Sequence, residues 1–125
     1  MLEAAALVNT GYEASSPDCS LPRAAAERLG LWPAPATASA MAVRGYGGRV
    51  AVLKVPEAVR VRVLAAGRVG PEVRAGALIA ETDDEIVLSD ALSQELHVHP
   101  VRPKTGTWRF VDEPGERPGE SPEIW

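Results

Sequence analysis

Asn9, Thr10 and Gly11 close the apolar run Ala4 to Val8 and mark the first point in the chain where a reactive side-chain type meets a tight turn. An asparagine amide accepts a hydrogen bond on its oxygen and donates from its nitrogen, but it has no proton to cycle as a general acid or base. Asn and Gly also favour turns for backbone reasons alone, so a plain turn after a strand is the simplest reading of these three residues. Other candidates carry less. His97 and His99, two apart, would share one face of a strand and could ligate a metal, yet no third ligand stands near them in the sequence. Asp83, Asp84 and Glu85 lack the alternating ligands and the glycine of a calcium loop, and read as a solvated turn. Ser15, Ser16 and Ser20 have no base beside them to activate a hydroxyl. Cys19 is the single cysteine, so no intrachain disulfide forms, and a zinc site would have to recruit histidines or carboxylates. The expectation is that the chain uses no metal and no cofactor.

The elements that would position these residues follow from apolar spacing and turn chemistry. Ala4 to Val8 reads as a short buried strand. Ser15 to Ser20 is polar and turn-rich. Pro22 stands where a first helical turn tolerates proline, Ala24 to Leu29 has high helix propensity, and Gly30 can stop that helix in a left-handed cap. Met41 and Val43, then Val50, Val52, Val59, Val61 and Val63, alternate as strands do, and Gly45-Tyr46-Gly47-Gly48 between them predicts a hairpin tip. Pro56 predicts an edge or a bulge in the returning strand. Ala65 to Arg68 predicts a turn, and Val69 to Ile79 a weaker strand region broken by Pro71 and Gly76. Ile86 to Leu88 predicts a short buried strand leading into a helix from Ser89 to Leu96, with Ser89 as its N-cap. Val98 to Val101 and Thr107 to Phe110 form a last hairpin. The fold class is therefore mainly β, barrel-like, with two short helices. Residues 1–111 form one domain, and the Pro, Gly and Glu-rich residues 112–125 form a tail expected to lack fixed structure.

Composition narrows the partners. The chain has 125 residues and a formal charge of −4, with 17 acids and 13 bases. Residues 112–125 hold five of those acids and one base, which leaves a body of 12 acids and 12 bases. A neutral body lacks the basic footprint of a nucleic-acid binder. No stretch reaches the roughly 18 apolar residues of a membrane helix, and Met1 to Val8 lacks the pattern of a signal peptide. A cytoplasmic location, away from membranes, is expected.

The order of the elements resembles the retropepsin-like aspartic proteases. An apolar strand runs into Asn9-Thr10-Gly11, followed by the Leu-Pro and Leu-Gly-Leu segment of Leu21 to Leu31 and by a glycine-tipped hairpin. Ile86 to Leu92 and a closing hairpin around Pro103 to Trp108 complete the series. The resemblance covers Ala4 to Phe110. It implies a homodimer in which each copy contributes one Asp-Thr-Gly loop to a shared peptide-cleaving site. It further implies that Asn9 occupies the position of the catalytic Asp, that Thr10 bonds across the dimer, and that Gly11 permits the turn. Gly45, Tyr46, Gly47 and Gly48 would cover the bound peptide or unfolded protein segment, and Ile86 to Ser89 would pack behind the catalytic loop. The sequence departs from the pattern in four places. Asn9 replaces Asp, by nature or by design; Ser89 replaces a Gly; few residues precede the loop where the family has an N-terminal strand pair; and Ser15 to Ser20 is polar where the family has a short apolar strand.

Two carboxylates about 3 Å apart share one proton, and the ionised one activates a water. Facing Asn residues would keep the loop's hydrogen bonds and lose that base, so an inactive or very weak peptidase is expected. The alternative is a non-enzymatic peptide-binding or assembly module that holds an extended segment by strand addition. A β-barrel unrelated to proteases, with Asn9 as a turn residue, is the third possibility.

Overall fold

The computed structural model describes residues 2–8, 16–45, 48–81, 83–102, 104–121 and 123–125. The chain is mainly β with two short helices, as its alternating apolar pattern requires. In chain order the elements are β1 (Leu7–Val8), β2 (Asp18–Pro22), α1 (Arg23–Arg28), β3 (Ser39–Gly45), β4 (Gly48–Val61), β5 (Leu64–Ala65), β6 (Arg68–Val69), β7 (Val73–Ala80), β8 (Val87–Leu88), α2 (Asp90–Glu95), β9 (Val98–Arg102) and β10 (Thr107–Phe110). Six strands make one mixed sheet in the order β1-β8-β2-β7-β4-β3, while β5–β6 and β9–β10 form separate pairs. The sheet is open, with β1 and β3 as its edges, and among the described residues it does not close into the expected barrel. With β1 only two residues long, one edge offers little backbone for closure.

Two sequence expectations are corrected at the centre of this sheet. The polar stretch around Ser15 to Ser20 does not stay a loop: from Asp18 it becomes β2, buried along its whole length between β8 and β7. Alternation explains how. Cys19 and Leu21 enter the main core, while Asp18 and Ser20 face the other side, where Ser20 Oγ donates to Asp83 Oδ2 at 2.9 Å. Gly76 likewise does not interrupt β7. That strand runs unbroken, with Ala75, Ala77 and Ile79 in the main core and Leu78 and Ala80 in a smaller cluster on the opposite face with Val52.

Other local signals hold. Gly30 takes the left-handed conformation just after α1, whose Ala25 and Ala26 are fully buried, although Pro22 ends β2 and caps the helix rather than starting it. Gly45 pairs with Gly48 at the tip of the β3–β4 hairpin. The break predicted at Pro56 is a bulge: Val55 pairs with Ala77 and Val59 with Ala75, so three residues of β4 stand opposite Gly76. Ser89 caps α2, its hydroxyl accepting from the Leu92 amide at 3.1 Å.

The charged end of the chain makes specific contacts that composition did not foretell. Trp108 and Phe110 meet edge to face at 5.1 Å, and Arg68 lies 4.1 Å over the Phe110 ring. Arg117 bridges back to Trp108 through paired backbone hydrogen bonds and forks onto Glu113 at 2.9 and 2.7 Å. Trp125 packs against the main core with its amide donating to the Asp84 carbonyl, and Glu123 accepts from the Ala5 amide. Aromatic, backbone and forked Arg–Glu contacts thus link Glu113, Arg117, Glu123 and Trp125 to the body, and such contacts offset part of the entropy of ordering.

Hydrogen bonds from Arg117 hold the Glu113 carboxyl below its ordinary 4.5, at about 2. Because the folded value is depressed, this clasp adds stability above pH 4.5 and loses it as the pH falls toward 2. In a carboxyl-detected NMR titration Glu113 is expected to titrate near 2; a midpoint at 4.5 would show that the clasp does not form.

Candidate functional site

Asn9, Thr10 and Gly11 lie outside the described residues, as do Tyr46 and Gly47. What surrounds the first group is defined. β1 ends at Val8, which pairs in parallel with Leu88; Leu88 pairs with Cys19, and Cys19 with Ala77. One step further along that end of the sheet come Ser89, Asp18 and Gly76. His97 lies in the turn after α2, with a φ of 61°, and only His99 is on β9, so the pair expected on one strand does not exist. Among the described residues no group of three or more His, Cys, Asp or Glu is placed to hold a metal ion. Asp83 and Asp84 are structural acceptors, for Ser20 and for the Trp125 amide, rather than a solvated turn alone.

The row Ser89, Asp18 and Gly76 is where polar chemistry collects. Ser89 is fully buried, and its hydroxyl accepts from the Asp18 amide as well as from Leu92, both at 3.1 Å. The Ser89 amide returns a bond to the Asp18 carbonyl at 3.0 Å, so β2, β8 and α2 meet at one hydroxyl and one peptide. The Asp18 side chain lies over Gly76, its register partner. A Cβ on residue 76 would stand 2.5 Å from Asp18 Oδ1, which is closer than a carbon and an oxygen can approach. The glycine in this central strand makes room for a carboxylate.

That carboxylate is 4% exposed and poorly satisfied. Oδ1 is buried and has no hydrogen-bond partner among the described residues. Oδ2 receives the Ser16 hydroxyl at 3.4 Å and faces Lys54 Nζ at 3.6 Å, both long for charge-assisted contacts. Lys54 reaches it from β4 and also approaches Ser16 Oγ at 3.5 Å. Beside this cluster the β4 bulge opens a cleft of about 220 Å³, lined by Ser16, Asp18, Lys54, Glu57, Arg74 and Gly76 among others. Glu57, at the bulge, has a φ of 49°, a left-handed backbone that a non-glycine residue rarely adopts.

None of this was visible as a site in the sequence. Ser16 has no base beside it in the sequence, and the fold brings Lys54 to it from 38 residues away. Two signals did point here: Pro56, which forecast the bulge, and Gly76, a glycine inside an apolar strand. Cys19, next to Asp18, points into the core instead. Burial above all, with the nearby Asp18 charge, pushes its thiol up to about 12, so it stays protonated and unreactive at neutral pH.

No protein-family model, curated protein or solved structure was found to match the chain. The site therefore rests on its own geometry. Gly76→Ala is expected to destabilise the protein by about 1 to 3 kcal/mol through overpacking, and Asp18→Ala in the same chain to relieve part of that loss. Urea unfolding of the two single variants and the double variant measures the coupling; strictly additive losses would contradict the contact.

Proposed function

We propose that this chain is a retropepsin-like protein that holds an extended peptide in a cleft shared by two copies, with hydrolysis suppressed because Asn9 stands where a carboxylate would act. The observation that carries the reading is the parallel pairing of Leu7–Val8 with Val87–Leu88. The resemblance requires Ile86 to Ser89 to stand behind the Asn9 loop, and this pairing sets the residue before Asn9 beside the residue before Ser89. The β3–β4 hairpin, paired from Ser39 with Lys54 to Gly45 with Gly48, supplies a long projecting ribbon of the kind that would cover a peptide. Asn9, Thr10 and Gly11 would form each copy's share of the site. Gly45, Tyr46, Gly47 and Gly48 would close over the substrate.

The chemistry explains the expected silence. Peptide hydrolysis at such a site needs a carboxylate to take a proton from water and its protonated partner to donate to the carbonyl oxygen. An amide does neither. A second reading, binding without any enzymatic ancestry, is favoured by β3 itself: among the described residues it is an edge strand with one neighbour in the sheet, and Met41 on it is exposed. A free edge can accept an extended segment by strand addition.

Hydrolysis of an unfolded protein substrate across about pH 3 to 7, the range of a carboxylate dyad, separates the two. Asn9→Asp is expected to raise cleavage by about a hundredfold or more, blocked by a transition-state-mimicking aspartic-protease inhibitor. No cleavage by an Asn9→Asp variant that is folded and dimeric would overturn the protease reading and leave strand addition.

A further inference from the structure

Three irregularities that each cost stability converge on one cleft. Asp18 Oδ1 is a buried acceptor without a donor among the described residues. Gly76 sits in the middle of a buried strand, where a side chain would have added packing, and its missing Cβ is what accommodates that oxygen. Glu57 holds a left-handed backbone in the bulge that opens the cleft. Native structures rarely keep an orphaned buried acceptor, a strand-interior glycine and a strained non-glycine residue together unless the site has a use.

The charges define what fits. Asp18 and Glu57 are acids and Lys54 and Arg74 are bases, so the lining is balanced. A simple anion would meet the two carboxylates, a simple cation would meet the two bases, and an apolar molecule would strip water from four charges without return. A molecule carrying both signs avoids all three penalties. At about 220 Å³ the cleft is smaller than the roughly 300 to 1,000 Å³ of drug-sized pockets, which limits the ligand to a few heavy atoms.

We propose that this cleft binds a small zwitterion of the free amino acid class, its ammonium on Asp18 and its carboxylate between Lys54 and Arg74. The exchange is balanced. The ligand's ammonium takes Lys54's place on Oδ2, and Lys54, a flexible side chain 28% exposed, turns to the ligand's carboxylate. The two contacts Lys54 gives up, to Asp18 at 3.6 Å and to Ser16 at 3.5 Å, are long, so little is lost in the swap. The Ser16 hydroxyl, which donates to Asp18 and is freed of Lys54, can accept from the ligand's ammonium or donate to its carboxylate. The proposal does not rest on the peptide-binding reading above.

The test is an amide NMR titration of the full ¹⁵N-labelled chain with an equimolar mixture of the protein amino acids, and separately with acetate and with methylammonium. Saturable shifts of the Gly76 and Lys54 amides are expected with the amino acids, with at least about tenfold weaker binding of either half-ligand. Lys54→Met and Arg74→Met, which alter exposed or half-buried positions, should keep the native spectrum and lose about tenfold or more in affinity, as should Asp18→Asn if it folds. Absence of saturable shifts, or an equal response to acetate or methylammonium alone as a peptide end would give, would overturn the proposal.

Discussion

The hydroxyl of Ser89 is the joint on which this fold turns. It accepts from two backbone amides, those of Asp18 and Leu92, while the Ser89 amide donates to Asp18 and its carbonyl receives Ser93 Oγ at 2.9 Å. Fully buried, it has no water to replace any of these bonds, so each lost partner would leave a desolvated group costing about 1 to 3 kcal/mol. Through it the start of β2, the end of β8 and the first turn of α2 are fixed to one another. Because β8 also carries β1, the position of Val8 depends on the same joint, and so does the direction in which the chain leaves toward Asn9.

From that joint the rest of the polar chemistry follows. Fixing the Asp18 backbone between β8 and β7 obliges its side chain to lie over residue 76, and only glycine leaves room there. The bulge at Pro56 shifts the register of β4 opposite Gly76, and Lys54, paired with Leu78, stands close enough to Asp18 to balance its charge. A buried ion pair of this kind is weak evidence of stability, since desolvation offsets much of the attraction. Its long contacts and orphaned oxygen are better understood as capacity for a ligand than as a contribution to folding.

Much of the fold was legible in the sequence because local chemistry and tertiary structure agreed. Ser89 before Asp90-Ala91-Leu92, Gly30 after Leu29, the alternating valines of β4 and Pro56 all announced their roles. β2 was not legible: Asp18 and Ser20 are turn formers by composition, and only partners 63 to 71 residues away in the chain make their burial affordable. Gly76 was misread for the complementary reason, since a glycine that weakens an isolated strand is required where a neighbour's carboxylate crosses it. The contacts of the last residues were not legible either: Arg117 and Trp125, which carry them, stand among prolines and glycines that dominate the composition there. The Asp18 cleft was invisible as a whole, for it assembles β2, β4 and β7 and no segment carries more than a fragment of it.

On the proposed reading each copy would supply one Asn9 loop and one β3–β4 hairpin, half of a peptide cleft, so that reading stands on the assembly of two copies. Sedimentation equilibrium over a wide range of concentrations tests this most directly. The account predicts a species of about twice the 13.2 kDa of one chain. A strict monomer at every concentration, with and without an extended peptide, would contradict it.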